Sequence, residues 1–299
     1  MQSRRDFFTR AALLAGGGLS SGSLLAQMAR EEADPEFVVK NGKIRQSIMG
    51  WCFKDHFDAV ELAHHCKEIG LVAMEGIPRD AYPEVRKLGL TISLVGSHGF
   101  AKGPCNPANR AEVVSKLTEA IDVAKSVQSP SVITFTGMRF DGMDDLKAAR
   151  DCIETWKEVL PHAEKAGVTL VLEHLNSRDD SHPMKGHPGY FGDDLDFCAE
   201  LVNEIGSENF KLLFDIYHVS VMNGDIIRRI RQYKDIIGHY HTAGNPGRAE
   251  LDDTQEINYP PILREIVATG YEGFVAQEFI PSWDDPVAAL RHAAQLCDV

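Results

Sequence analysis

The chain has 299 residues, enough for one large domain or two small ones. Hydrophobic residues make up 43% and charged residues 25%, the balance of a globular protein able to bury a sizeable core. A formal charge of −13 gives an acidic surface that repels nucleic acid and anionic membrane, so the expected partner is a small neutral or metal-chelating molecule.

The first residues read as an address. Arg4 and Arg5 stand before Phe7 and Phe8, and a mild apolar stretch follows from Ala11 to Ala26, broken by Gly16, Gly17 and Gly18. Basic residues followed by a weak apolar segment form a signal-peptide pattern, and the arginine pair resembles a twin-arginine export signal. The stretch is too short and too glycine-rich to span a membrane. The expectation is a signal peptide over residues 1–30, a periplasmic location and a catalytic domain over residues 31–299.

From residue 44 on, short apolar runs alternate with longer amphipathic ones. Strands are expected at Ile44–Phe53, Leu71–Pro78, Thr91–His98, Ser131–Met138, Thr169–Asn176, Phe210–His218, Ile236–Ala243 and Gly273–Phe279. Helical patterns begin at Phe57 and cover Ala111–Val127, Leu146–Ala166, Leu195–Ile205, Val221–Tyr233, Pro260–Ala268 and Pro286–Leu296. Gly70, Gly89, Gly167 and Gly270 fall where a helix C-terminus wants glycine. Alternating strands and helices argue for a parallel sheet, and eight repeats match a single (β/α)8 TIM barrel. An open doubly wound sheet would want a glycine-rich phosphate turn after the first strand, and Met49 to Phe53 offers none. The six cysteines show no C-x-x-C spacing, which argues against a zinc ribbon or a redox pair.

Buried parallel strands should end apolar, yet several end here in carboxylates and histidines. Side chains alternate along a strand, so Val171 and Glu173 share a face, as do Ala276 and Glu278. Glu173, Asp215, His241 and Glu278 all fall at C-terminal strand ends, the active-site face of a barrel. Such a cluster needs a counter-ion, and mixed oxygen and nitrogen donors suit one divalent metal ion: Mn, Mg, Co or Zn. Trp51 and Phe53, near the end of the first strand, are candidates for the pocket floor or for plain core.

The residues that carry this pattern resemble the hydroxypyruvate isomerase family of xylose isomerase-like barrels. The resemblance runs through Glu173 to Asp179, Gly189 to Phe191, Asp215 to His218, Gly238 to Arg248 and Glu256 to Pro260. It implies that Glu173, Asp215, His241 and Glu278 hold the metal. It further implies that Glu173 and Glu278 form the acid/base pair, and that His218 and Arg248 hold substrate oxygens. His98 and Glu75 are expected to line the pocket, and Asp179 falls where related epimerases carry a supporting glutamate. Three departures stand out. Hydroxypyruvate isomerases carry glutamine where this chain has His241, whereas ketose epimerases carry histidine. They read Glu-Tyr-x-Pro where this chain has Glu278, Phe279, Ile280 and Pro281. Ser181 to His187 looks like an insertion that reshapes the pocket through His182, Lys185 and His187.

The implied chemistry is aldose–ketose type proton transfer on a sugar or hydroxy-keto compound through an ene-diolate. Ketose 3-epimerisation and keto-sugar lyase or dehydratase chemistry would use the same carboxylates. A non-catalytic sugar-binding protein would not require two facing glutamates. A homodimer stays open, since no surface patch can be read from the sequence.

Overall fold

A computed structural model describes residues 36–299. The expected signal peptide, and the expected division of the chain after residue 30, lie outside the described residues.

The strands are β1 (Arg45–Ile48), β2 (Ala73–Met74), β3 (Thr91–Ile92), β4 (Ser131–Thr134), β5 (Thr169–Glu173), β6 (Phe210–Asp215), β7 (Ile237–Thr242) and β8 (Phe274–Gln277). The helices are α1 (Ala59–Ile69), α2 (Tyr82–Lys87), α3 (Arg110–Val127), α4 (Asp145–Ala166), α5 (Leu195–Ile205), α6 (Ile216–Met222), α7 (Ile226–Tyr233), α8 (Tyr259–Ala268) and α9 (Pro286–Cys297). Local chemistry sets their ends. Asp58 caps α1 by accepting from the amides of Val60 and Glu61, while the Glu61 side chain accepts from the Asp58 amide. Gly70 and Gly167 close α1 and α4 with φ of 90° and 70°, in the left-handed region that glycine enters without a Cβ clash.

All strand pairs are parallel. Strands β1, β8, β7, β6, β5 and β4 form one continuous sheet in that order, and β2 pairs with β3. Single bridges close the ring: Met49 to Glu75 joins β1 to β2, and Val95 to Val132 joins β3 to β4. The result is a closed (β/α)8 TIM barrel whose strand ends all face one mouth. In register, Asp215 lies beside His241 and His241 beside Ala276, with Glu278 two residues further on. An irregularity between Leu212 and Leu213 brings Leu213 opposite His239, so His239 and His241 both follow the inward face.

Several elements differ from the sequence reading, each for a local reason. The strands are shorter, because their polar C-terminal residues leave the ladder to build the mouth. Gly50–Phe53 is a 3-10 turn rather than strand. His218 stands on α6, not on β6, because Asp215 caps a new helix by accepting from the amides of Tyr217 and His218 at 2.8 and 3.2 Å. The expected helix over 221–233 is split at Asn223, Gly224 and Asp225, where Asp225 takes φ 55°.

Between sheet and helices, Trp156 of α4 is fully buried, packs its ring 5.0 Å from Phe210 of β6 and donates its indole N–H to Thr134 Oγ1 at 3.0 Å. We expect Trp156→Ala to destabilise the fold by about 3–5 kcal/mol, and Trp156→Phe by clearly less because a ring still fills the space. Urea denaturation of the three proteins checks this. An alanine variant within about 0.5 kcal/mol of the parent would show that the position is not part of the core.

Candidate metal centre and pocket

One ligand atom from each of Glu173, Asp215, His241 and Glu278 can be chosen so that all lie within 4.8 Å of one another. The four residues are buried, with exposures of 4% or less. They come from β5, β6, β7 and the end of β8, so neighbouring strands deliver them to one point. His241 Nδ1 lies 3.3 Å from Glu173 Oε1 and 2.6 Å from Glu278 Oε2. None of these three buried atoms makes an aligned hydrogen bond. Orphaned donor and acceptor atoms that converge in the dark are costly unless a ligand claims them. Three carboxylates and one imidazole, with no thiolate among them, fit a hard or borderline divalent cation. Cys52 is close by, but burial first and the charge of Glu278 next push its thiol well above the ordinary range, so it offers no thiolate.

The protein's own groups leave this cluster electrostatically strained. Burial raises the Asp215 carboxyl to about 7, with Glu278 adding to the rise and Arg248 opposing it. Glu173 is raised as well, by burial first. Glu278 is brought down to about 2 despite burial, because Arg248 and His241 face it. Burial alone would lower the His241 imidazole; the charge of Glu278 and contacts with Glu173 and Glu75 instead hold it well above the ordinary histidine value.

Arg248 brings a guanidinium against the cluster. Its Nη2 lies 2.8 Å from Glu278 Oε2 and 3.5 Å from Asp215 Oδ2, and its Nη1 donates to the Met184 carbonyl at 2.7 Å. The guanidinium stands over the Trp51 and Tyr217 rings at 5.4 and 5.7 Å. Its backbone has φ 53°, an uncommon conformation for a side-chain-bearing residue. Hydrogen bonds on both sides hold it there. The Ile280 amide donates to the Arg248 carbonyl at 2.7 Å, and Glu250 accepts from the Trp283 amide and the Ser282 hydroxyl at 2.9 and 2.7 Å. The Arg248 loop is thereby tied to the segment that follows Glu278.

A cavity of about 260 Å³ opens beside this cluster. Glu173, Glu278 and Arg248 form its polar side, and Trp51, Leu94, Phe100, Ile133 and Phe135 form much of its apolar wall. Met184 and His187 reach it from the loop after β5. His187 lies with its ring 4.1 Å from that of Phe100, and burial lowers its imidazole to about 4.

The other expected site residues fall in different places. His218 is fully buried with Nε2 3.5 Å from Asp215 Oδ2, while its Nδ1 accepts from the Asn176 amide at 3.1 Å. Its N–H is therefore on Nε2, aimed at the metal cluster. His98 does not present a free nitrogen to the cavity. Its Nδ1–H meets the Lys102 carbonyl and its Nε2 meets Thr134 Oγ1, both at 2.9 Å, so it braces the wall. Glu75 is fully buried beneath His241, away from the cavity lining. Asp179 accepts from Ser181 and from the Tyr217 hydroxyl and shapes the loop after β5. Of the two aromatics after β1, Trp51 lines the cavity, whereas Phe53 is core, edge-on to Phe279 at 5.4 Å. His239 received no role from the sequence, although its place two residues before His241 on an alternating strand was the available signal. In the insertion, His187 reaches the cavity and His182 is exposed. Lys185 acts through its carbonyl, which accepts from Asn176 Nδ2 and the Tyr217 hydroxyl.

Residues 52–298 match the protein family described as Xylose isomerase-like TIM barrel. Hydroxypyruvate isomerase of Escherichia coli is 27% identical over 199 residues, covering 64% of this chain and 73% of that one. The 2-oxo-tetronate isomerase of Cupriavidus necator is 27% identical over 175 residues, covering 58% of this chain and 64% of that one. Among solved structures, 3-keto-D-glucoside 4-epimerase from E. coli superposes with a TM-score of 0.70 at 17% identity, covering 85% of this chain and 98% of that chain. The closed barrel and the extent of these matches place the chain in the xylose isomerase-like TIM barrel family, among relatives of hydroxypyruvate isomerase, as an enzyme of the isomerase class.

Proposed function

We propose that this enzyme isomerises a small α-hydroxy carbonyl compound or sugar with the help of one divalent cation held by Glu173, Asp215, His241 and Glu278. The observation that carries the reading is the convergence of those four buried side chains on one point at the barrel mouth. A divalent cation there would supply Lewis-acid stabilisation of the negative charge that grows on substrate oxygens. Glu173 and Glu278 belong to non-adjacent strand ends and both line the cavity, so each presents a carboxyl to a substrate from its own side. One, as the carboxylate, removes the α-proton; the other, as the acid, returns a proton to the neighbouring carbon; and the hydroxyl proton passes to the former carbonyl oxygen, so that no net proton is gained or lost. Arg248, fixed over Trp51, and the Nε2–H of His218 hold oxygens as charge builds. The apolar wall offers few hydrogen bonds, which favours a substrate with its polar atoms gathered at the reacting end.

A second reading, ketose 3-epimerisation, is favoured by one residue. His241 stands where hydroxypyruvate isomerases carry glutamine and epimerases carry histidine. The two readings share the first proton abstraction and differ only in where the proton goes back.

Glu173→Gln and Glu278→Gln should each lower kcat by about 10²- to 10⁴-fold while leaving the melting temperature close to that of the parent. A panel of ketoses, aldoses and hydroxypyruvate in heavy water supplies the substrate. Deuterium at the neighbouring carbon of an isomerised product supports the first reading, and deuterium at an inverted centre supports the second. Turnover without any solvent deuterium at a carbon next to the carbonyl would sink both.

Cation binding should also release protons. The protein's own carboxylates hold His241 protonated, and Nδ1 must lose that proton to become a ligand. Affinity for Mn²⁺ should therefore rise with pH. Calorimetry in two buffers of different ionisation enthalpy measures the protons released. A pH-independent affinity with no proton release would remove His241 from the ligand set.

A further inference from the structure

Beneath the candidate metal cluster lies a second buried polar group that touches it through one residue. Glu75, just past β2, is fully buried and takes three contacts. His241 Nε2 approaches its Oε1 at 2.8 Å, His239 Nε2 approaches its Oε2 at 3.0 Å, and the Ser93 hydroxyl donates to Oε2 at 2.5 Å. Ser47 of β1 continues the chain, its hydroxyl 2.6 Å from Ser93 Oγ. Since Ser93 gives its proton to Glu75, Ser47 must donate to Ser93. With the Ser93 hydroxyl donating to Oε2, the two imidazole nitrogens complete the partners of this buried carboxyl group, His241 through Nε2.

We propose that Glu75 is a positioning residue for the cation site: through its contact with Nε2 it fixes the ring plane of His241, so that Nδ1, once it gives up its proton to a cation, turns its lone pair to the point shared with Glu173 and Glu278. The inference rests on the cation reading of the preceding section. A histidine that ligates a metal through one nitrogen is oriented by whatever its other nitrogen donates to, and loss of that partner weakens metal binding. Four strands contribute to the brace. Ser47 comes from β1, Glu75 follows β2, Ser93 follows β3, and His239 lies on β7. His239 shares the same carboxylate with its ring perpendicular to that of His241 and centroids 5.1 Å apart, so it blocks rotation of the carboxyl without reaching the ligand point. Glu75, His239 and His241 could also be read as a second cation site, since their ligand atoms lie within 4.8 Å of one another. Direct hydrogen bonds already occupy those atoms.

The test uses the full chain, Mn²⁺ as probe, and competition with a chelator to measure affinity and stoichiometry. Wild type, Glu75→Gln, His241→Gln and the double variant form a cycle, with Glu75→Ala as a harsher control. Glu75→Gln should weaken Mn²⁺ binding by about 10- to 100-fold. In the His241→Gln background the same change should have little effect, because its route to the metal is gone. The melting temperature before metal addition reports folding separately, and Co²⁺ visible spectra report the ligand geometry. Equal Mn²⁺ affinity in wild type and Glu75→Gln would overturn the proposal, as would an undiminished loss in the His241→Gln background. Two Mn²⁺ per wild-type chain, falling to one in Glu75→Gln, would replace it with a second metal site. A wild type that binds no Mn²⁺ or Co²⁺ at all would instead overturn the cation reading on which the proposal rests.

Discussion

Charges of one sign cannot be crowded into the mouth of an apolar barrel without something to answer them. Bringing Glu173, Asp215 and Glu278 together out of water costs several kcal/mol per ion on desolvation, before their mutual repulsion is counted. The protein answers in part with Arg248 and His241, and the incompleteness of that answer shows in the shifted carboxyls: Asp215 is raised to about 7 while Glu278 falls to about 2. A fold selected only for stability would place leucines at these strand ends. The polar cluster is retained against that gradient, as a site that takes a cation and gathers substrate oxygens would require.

The barrel makes such a cluster affordable through geometry rather than through any single strong contact. Parallel strands held in register by backbone hydrogen bonds set Asp215, His241 and Ala276 side by side, so the ligands do not depend on mobile loops. The loops enter only at the rim. Arg248 is anchored to Met184 on one side and to Ile280 on the other, linking the loop after β5 to the segment after β8 across the mouth. The same guanidinium that offsets Glu278 therefore also sets where the pocket wall stands. Substrate fit and site electrostatics share one side chain.

Much of this was legible in the sequence because the barrel's regularity converts chain position into space. Alternation placed Glu173 and Glu278 inward, and polar residues at the ends of buried strands marked the mouth. What was not legible depended on where strands stop. His218 read as strand because its neighbours are apolar, but the Asp215 side chain caps the next helix and turns the backbone at that point. Glu75 and His98 read as pocket residues by the same strand-end rule. Neither sits in the cavity, because β2 and β3 are only two residues long and their sequels bend into the wall and floor. Trp51 and Phe53 are two apart in sequence yet one lines the cavity and the other is core, since a 3-10 turn breaks the alternation that a strand would have kept. The export signal expected over residues 1–30 lies outside the described residues.

The departure at position 241 has a physical consequence beyond classification. A glutamine would bring a neutral carbonyl oxygen to the ligand point and leave an amide NH2 to be satisfied. A histidine has a second nitrogen that must be satisfied in a fully buried place, and here the floor supplies a carboxylate with two serine hydroxyls and a second imidazole behind it. In the proposed site that carboxylate would also add negative charge near a bound cation and increase the electron-donating power of the ring. On that proposal the electrophilicity of the site would be set partly by residues outside the cavity lining.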